Sequence, residues 1–145
     1  MRAALLDTGP IVGLLSGADQ HHNSSVAAIR ASAGKGRKLC TAWEVVGEAY
    51  TLFRMLLAPA DSAEPALVVL RLARESGIEL LATAEGDHQR AAVLLVRYSQ
   101  LRLSYVDALL LALAERQRVE ELITVDARHF GRVRLTHRLT VTIVV

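Results

Sequence analysis

Two acidic residues follow directly on short apolar runs of the sequence. Asp7 comes after Ala3–Leu6, and Asp126 comes after Leu122–Val125. Short apolar runs bounded by polar residues predict buried strands of a sheet that is covered on both faces. Ligands of open α/β sheets bind beyond the carboxyl ends of the strands. If these two strands are neighbours, the carboxylates of Asp7 and Asp126 meet in one cleft.

Two further acids, Glu48 and Asp107, lie on predicted helices that can reach the same cleft. Glu48 is in the apolar-periodic segment Thr41–Leu57, and Asp107 is in Ser104–Arg116. Several carboxylates at one point repel each other unless a cation joins them. Mg²⁺ and Mn²⁺ suit such all-oxygen sites and bridge phosphate oxygens. The four acids therefore predict a divalent-metal site that activates water for attack on a phosphodiester.

Glu48 is favoured over its neighbour Glu44 as the acid on the first of these helices. Thr41-Ala-Trp-Glu44 fits a capping box, which predicts that Glu44 is occupied at the first helical turn. Glu48 lies one turn further on, close to the apolar face that includes Val45 and Ala49. A carboxylate enters such a face at a cost unless it is paired, so Glu48 is the stronger candidate.

Each acid also fits a purely structural role. Asp7 stands where a helix N-cap belongs, and Asp126 can cap the turn that follows it. Ser104 and Asp107 have the spacing of a capping box. Glu48 also fits a solvated position on its helix. Taken singly, each acid is explained as well by stability as by chemistry, so the prediction rests on the set.

Helices and strands alternate along the whole chain. Further strands are predicted at Lys38–Thr41, Ile78–Leu81, Val133–Leu135 and Thr140–Val145. Further helices are predicted up to Leu15, from Asp19 or Ser24 to Ala33, at Glu64–Glu75 and at Ala84–Tyr98. This alternation predicts an α/β fold with a central, mostly parallel sheet flanked by helices. No repeat, low-complexity tract or linker interrupts the sequence, so residues 1–145 are predicted to form a single domain.

The composition is that of a globular protein of a reducing compartment. The chain has 145 residues, 52% of them hydrophobic and 22% charged, which is enough for one sizeable core. The single cysteine, Cys40, excludes an intrachain disulfide and a Cys-rich zinc site, so a cytoplasmic location is expected. Asp7 and Gly9-Pro10 interrupt the apolar N-terminal stretch, so neither a signal peptide nor a membrane span is predicted.

A mild positive charge makes binding to nucleic acid electrostatically permissible. The formal net charge is +2 and the pI is about 9.0. Basic residues are frequent after Asp126, and Arg128 and Arg132 follow it most closely. These two arginines are candidate phosphate contacts. A solvated surface is the alternative explanation for such a charge run.

Three segments together resemble the PIN-domain family. LLDTGPIVGLL resembles its opening strand and first acid, and TAWEVVGEAYTLF resembles its second motif, with the acid at Glu48. LSYVDALLLALAERQRVEELITVDARHF is similar to the segment that carries the family's third and fourth acids. In this sequence the acids are Asp7, Glu48, Asp107 and Asp126. The resemblance covers nearly the whole chain, in the family's order and spacing.

The resemblance implies a fold, a cofactor and roles for individual residues. It implies a three-layer α/β/α sandwich that binds Mg²⁺ or Mn²⁺ and cuts RNA. Asp7, Glu48 and Asp107 would hold the metal, and Asp126 would complete the site directly or through water. Three hydroxyl-bearing residues would orient carboxylates or phosphate, with simple capping as their alternative role: Thr8, Ser104 and Thr124. Independently of the resemblance, the closeness of Arg128 and Arg132 to Asp126 in the sequence makes them the candidates for RNA contact.

Small members of the family that resemble this chain are mostly VapC-type toxins. The resemblance therefore implies a cognate antitoxin partner and a homodimer. Apolar residues at Leu52, Phe53, Met55 and Leu56 are a candidate groove for an antitoxin helix, and core packing explains them equally well.

Three other functions compete with this interpretation. A haloacid-dehalogenase-type phosphatase would need a second acid two residues after Asp7, where the chain has Gly9. A receiver domain would need a late lysine, and no lysine follows Lys38. A catalytically inactive PIN scaffold that binds RNA or protein would not need to keep four mutually repelling carboxylates.

Overall fold

The computed structural model of the chain describes residues 2–59, 61–74, 76–126 and 128–145. Within these ranges the strands are β1 (Ala3–Leu6), β2 (Lys38–Ala42), β3 (Glu79–Leu81), β4 (Glu121–Thr124) and β5 (Thr140–Ile143). They form one sheet in the order β3-β2-β1-β4-β5, and every pairing is parallel. The predicted parallel sheet is confirmed.

Helices cover both faces of this sheet. In the described ranges they are α1 (Thr8–Leu15), α2 (His22–Gly34), α3 (Trp43–Leu52), α4 (Glu64–Arg74), α5 (Glu85–Arg97) and α6 (Tyr105–Gln117). α1 packs on α2 and α3, α3 packs on α4, and α5 packs on α6. The crossovers from β1 to β2 to β3 lead in one direction, and the crossover from β3 to β4 leads back. Because such crossovers are right-handed, the two helix groups lie on opposite faces, as in an α/β/α sandwich.

The chain changes direction across the sheet between β1 and β4. These strands are adjacent, with Leu6 paired to Ile123. β1 leads into helices on one face, whereas β4 is reached from helices on the other face. Such a switch point leaves a crevice beyond the carboxyl ends of the two strands. Asp7 directly follows β1, and Asp126 lies two residues beyond β4.

Two elements beside this crevice are enclosed by apolar contacts. Ala3–Leu6 of the central strand β1 are fully buried, as expected where helices cover both faces. In α6 the run Ala108–Ala114 is buried without interruption, so this helix is surrounded rather than lying on the surface. No helix within the described residues combines the length and hydropathy needed to cross a membrane.

The buried carboxylate of Glu121 lies at the amino-terminal end of β4, at the end of the strands opposite the crevice. It links β4 to neighbouring elements. It accepts the hydroxyls of Ser32 on α2 and Thr142 on β5, the latter at 2.7 Å. The Arg37 guanidinium lies 3.6 Å away and balances its charge. Because partners surround this carboxylate, it fixes the position of β4 and is a structural group.

The predicted strand Val133–Leu135 is wrong, although the pattern behind it is present. Exposed and half-buried residues alternate along this extended segment, as they do in a strand. However, the Arg134 N–H donates to the Tyr98 hydroxyl at 3.1 Å, and the Thr136 N–H donates to Glu115 at 2.8 Å. These backbone groups bind side chains rather than a neighbouring strand, so the segment is outside the sheet.

The predicted helix Thr41–Leu57 is shorter and less regular than expected. Thr41 belongs to β2, and the helix begins only at Trp43. Its last turn, Phe53–Leu57, is a π-helix. The other predicted elements agree with the structure to within about three residues at their ends. Glu75, the predicted last residue of α4, lies outside the described residues.

Replacing Gly13 by alanine should destabilise the fold by about 1–3 kcal/mol, because α1 and α2 touch at this glycine. A Cβ atom here would lie 2.9 Å from the Ser25 Cβ and 3.1 Å from the His21 carbonyl oxygen. Urea unfolding measures the change. Gly47→Ala is the control, since its Cβ meets nothing within 4 Å and alanine within α3 should add about 0.5–1 kcal/mol. Equal stability of the two variants would contradict the tight contact.

Candidate active site

Asp7 is a buried carboxylate at the N-cap of α1. Its Oδ1 accepts the Thr8 N–H at 2.8 Å, and its Oδ2 accepts the Thr124 hydroxyl at 2.7 Å. The residue is only 7% exposed. Burial is the main reason that the pKa of Asp7 rises from 3.8 to about 6, and the two hydrogen bonds oppose this rise. The negative charges of Asp107 and Glu48 raise the pKa further, so all three acids share one crevice.

Asp107 reaches this crevice from the first turn of α6. The predicted capping box is present, because the Asp107 N–H donates to Ser104 Oγ and the Ser104 N–H donates to Asp107 Oδ2, both at 3.0 Å. The box holds the carboxylate in one orientation. Asp107 therefore both takes part in the cap of α6 and places a carboxylate beside Asp7.

Glu48 reaches the crevice from α3, which packs on the helix that Asp7 caps. Its side chain is half-buried, and its charge acts on Asp7. The sequence placed Glu48 near an apolar face, and the burial of Val45 and Ala49 agrees with that placement. Three acids from three separate elements are thus close enough to interact.

Asp126 is connected to Asp7 through Thr124 rather than by its own carboxylate. The Thr124 hydroxyl donates to Asp7 and accepts the Asp126 N–H at 3.0 Å. The Asp126 carboxylate turns to its own loop, where it accepts the N–H groups of Arg128 and His129 and contacts the His129 ring nitrogen Nδ1 at 2.7 Å. Partial burial raises the pKa of Asp126, but these loop contacts lower it more, and the net direction is downward.

The predicted orienting residues differ in how they act. Thr124 holds the Asp7 carboxylate with its hydroxyl, whereas Thr8 holds Asp7 and Ser104 holds Asp107 with their backbone N–H groups. The Ser104 hydroxyl accepts the Asp107 N–H. The Thr8 hydroxyl is buried and has no hydrogen-bond partner in the described part of the chain. Burying such a group unpaired costs about 1–3 kcal/mol. This unpaired hydroxyl is on the residue that directly follows Asp7.

The predicted capping box at Glu44 is wrong. The Thr41 hydroxyl donates to the Leu6 carbonyl oxygen at 2.7 Å, which joins β2 to β1. Glu44 instead accepts the Thr83 hydroxyl at 2.7 Å, and a ring nitrogen of His88 contacts the same hydroxyl at 3.0 Å. Glu44 is therefore occupied, as expected, but by residues that follow β3.

A polar cluster around Glu44 was missed from the sequence. It consists of Glu44, Thr83, His88 and Tyr105. The His88 ring hydrogen-bonds to the Tyr105 hydroxyl and stacks on its ring, with the centroids 5.8 Å apart. Tyr105 is two residues before Asp107, so the cluster braces the first turn of α6. The contacts depend on the pairing of β2 with β3, which no local sequence pattern reveals.

The donor set fits a divalent cation in kind. Asp7, Glu48 and Asp107 offer the oxygen ligands that Mg²⁺ and Mn²⁺ take, and their repulsion appears in the raised pKa of Asp7. Over the described ranges, no three acidic, histidine or cysteine side chains already stand around one point as ligands. Mg²⁺ keeps several of its waters, so a few carboxylates suffice to hold it.

The profile of the PIN domain matches residues 4–135 of the chain. The chain belongs to the PIN-domain family. A relative in Archaeoglobus fulgidus, named VapC ribonuclease, is 33% identical over 129 residues, which cover 87% of this chain and 78% of that protein. Ribonuclease VapC26 of Mycobacterium tuberculosis is 27% identical over 130 residues, which cover 90% of this chain and 91% of that protein.

A solved structure shows the same PIN fold. It is a toxin–antitoxin complex from Klebsiella pneumoniae, with a TM-score of 0.65 and 21% identity. The match covers 90% of this chain and 92% of the other. At this identity the likeness concerns the fold alone. The family resemblance expected from the sequence is confirmed by the profile and by the relatives.

The stability of this PIN domain should decrease as the pH rises from about 4 to about 6. The folded chain keeps a proton on Asp7 up to a pKa of about 6, whereas the unfolded chain loses it near 3.8. A shift of about 2 pKa units corresponds to at most about 3 kcal/mol. Asp7→Asn should remove this part of the pH dependence. Urea unfolding in EDTA between pH 4 and 7.5 measures it.

The control for this experiment is Asp61→Asn. Asp61 is exposed and has a positive φ, which asparagine also adopts. Its variant should keep the wild-type pH dependence. Parallel curves for wild type and Asp7→Asn would show that the Asp7 carboxyl titrates alike in the folded and unfolded chain.

Proposed function

We propose that the chain is a metal-dependent endoribonuclease and the toxin of a toxin–antitoxin pair. The observation that carries the proposal is the crevice at the switch point of the sheet, where buried Asp7 lies beside Glu48 and Asp107. Buried acids that raise each other's proton affinity are costly, and a cation relieves that cost. RNA as the substrate is supported by the names of both relatives, each a ribonuclease.

Asp7, Glu48 and Asp107 would hold the ion, which is Mg²⁺ or Mn²⁺. When bound, it supplies an activated water and neutralises charge that develops on the phosphodiester. The chain itself sets the orientation of the carboxylates, since Thr124 holds one oxygen of Asp7 and Ser104 holds one oxygen of Asp107. Such supporting hydrogen bonds keep ligands in place before the ion arrives.

Asp126 would complete the site directly or through a water molecule. Its backbone is already tied to Asp7 through the Thr124 hydroxyl. Its carboxylate is already held in its own loop by Arg128 and His129, and a direct ligand would have to turn towards Asp7 against these bonds. Coordination through water leaves these bonds in place, so we favour that arrangement.

An antitoxin partner is supported by exposed apolar side chains on the π-helix and α4. Met55 and Leu56 are each 71% exposed, and Leu67 on α4 is 55% exposed. Phe53, which the sequence grouped with the first two, is instead buried in the core. Exposed apolar patches mark contact surfaces, and the matched Klebsiella structure is a toxin–antitoxin complex. We propose that the antitoxin covers this surface.

We also propose a homodimer that uses the outer face of α5. Val93 is 49% exposed and Val96 is 79% exposed on this helix. Val96→Lys should give a monomer in light scattering at micromolar concentration, because a buried, unpaired lysine is costly at an interface. Ala31→Lys is the control, because Ala31 is exposed on α2, on the other face of the sheet, and this variant should remain a dimer. A wild-type chain that is already monomeric would refute the proposal.

Cleavage of labelled RNA with and without Mn²⁺ tests the proposed function. Asp7→Asn, Glu48→Gln and Asp107→Asn should each lower the rate on the order of 100-fold or more, since even supporting residues of metal sites contribute 10–100-fold. Thr124→Val removes a supporting hydroxyl and should lower the cleavage rate by about 10–100-fold. EDTA should abolish cleavage, and Mn²⁺ should raise the melting temperature of the wild type.

Glu64→Gln is the control for these variants, because Glu64 is exposed on α4, away from the crevice. It should cleave at the wild-type rate. Cleavage that survives both EDTA and Asp7→Asn would refute the carboxylate–metal site. A folded chain that binds Mn²⁺ but cuts no RNA would indicate an inactive PIN scaffold instead.

A further inference from the structure

A sizeable cavity lies outside the acidic crevice, and none of the four acids lines it. It has a volume of about 660 Å³ and lies between the C-terminal end of α5 and the segment 130–139, which begins with a 3-10 turn at Phe130–Arg132. Four arginines line it, namely Arg97, Arg132, Arg134 and Arg138, and we call it the arginine groove. No acidic residue is among its lining residues. Arg128, the other arginine predicted to contact RNA, is exposed but does not line it.

The guanidinium groups of the arginine groove are unused by the fold. All four side chains are exposed, and within the described residues none has an ion-pair or hydrogen-bond partner. They give the groove a formal charge of +4, and no acidic side chain in its lining balances it.

The wall of the groove is fixed rather than loose. The Arg134 N–H donates to Tyr98, and the Thr136 N–H donates to Glu115. His137 contacts the Val119 carbonyl oxygen through Nε2 at 2.8 Å. Along the segment the exposed residues Arg132, Arg134 and Arg138 are separated by half-buried ones. These arginines thus lie on the solvent side, while the apolar residues between them face inward.

The arginine groove begins close to the acidic crevice and leads away from it. Arg132 lies six residues after Asp126, and the segment ends at Thr140, the first residue of β5. The Thr140 N–H donates to the Glu120 carbonyl oxygen, at the end of the strands opposite the crevice. A polyanion seated along this groove therefore extends from the proposed site of cleavage towards the opposite end of the strands.

We propose that the arginine groove binds the phosphates of the RNA strand that flanks the bond to be cut. The inference rests on the proposed function. A positively charged groove lined by several unpaired arginines suits the backbone of a single strand. Arginine also binds phosphate through two donors at once. Binding here offsets the repulsion between the RNA and the carboxylates of the crevice.

RNA binding is tested in the 145-residue chain with Asp7→Asn, which leaves the RNA intact. Arg97→Gln, Arg134→Gln and Arg138→Gln are combined in one triple variant. Fluorescence anisotropy of a labelled single-stranded 12-nucleotide RNA in EDTA gives the affinity between 50 and 300 mM salt. The triple variant should bind at least tenfold more weakly. The slope of log K against log salt should fall by about 2, since each phosphate contact on a single strand contributes about 0.7.

The matched control removes three exposed arginines from the other face of the sheet. It combines Arg30→Gln on α2 with Arg71→Gln and Arg74→Gln on α4, and so has the same net charge. This control should keep the parent affinity within about twofold and the parent slope. Equal losses in both triple variants would overturn the groove, because net charge alone would then explain binding. An unchanged affinity in the groove variant would overturn it as well.

Two further outcomes separate the groove from the proposed function and from another occupant. If the wild-type chain cuts no RNA but the groove variant loses RNA binding selectively, the nuclease fails and the groove stands. If the groove variant made with Asp7 intact cuts RNA with unchanged KM, the groove fails and the nuclease stands. Poly-L-glutamate that binds as tightly as RNA, and loses affinity in the groove variant, would overturn RNA in favour of an acidic protein segment.

Discussion

The hydrogen bond from the Thr124 hydroxyl to the Asp7 carboxylate is the contact on which the site depends. It crosses from β4 to the end of β1, so it exists only because these strands are adjacent and parallel. The same hydroxyl accepts the Asp126 N–H. One threonine therefore connects the first acid to the loop of the last, although 117 positions separate Thr124 from Asp7.

Two of the buried carboxylates, those of Asp7 and Glu121, show how an acid that the fold neutralises differs from one that it leaves unbalanced. Glu121 has a nearby guanidinium and two hydroxyl donors, so its charge is balanced within the fold. Asp7 has only neutral donors, and its charged neighbours are the acids Asp107 and Glu48. The fold thus leaves a negative charge uncompensated at the crevice, where only a proton or a cation can balance it.

The sequence predicted the strand ends and the helix positions of the acids, because apolar runs and capping patterns are local signals. It posed capping and chemistry as alternatives for Asp7 and Asp107, whereas the structure shows both residues as caps that also lie in one crevice. The predictions from the sequence were wrong where the contacts join residues that are far apart in the chain. Glu44 binds Thr83 through the pairing of two strands. Val133–Leu135 has the period of a strand but no neighbouring strand to pair with.

The distribution of charge explains more than the net charge of +2 does. An acidic crevice suits a cation and repels a polyanion, so a nuclease of this design needs a separate surface that attracts RNA. The segment after Asp126 is the surface that we propose for this role, since its apolar residues face the core and its arginines face solvent. If this segment were a regular strand at the sheet edge, its backbone groups would form hydrogen bonds with the neighbouring strand. Held instead by Tyr98 and Glu115, the segment stands apart from the sheet and forms one wall of a groove.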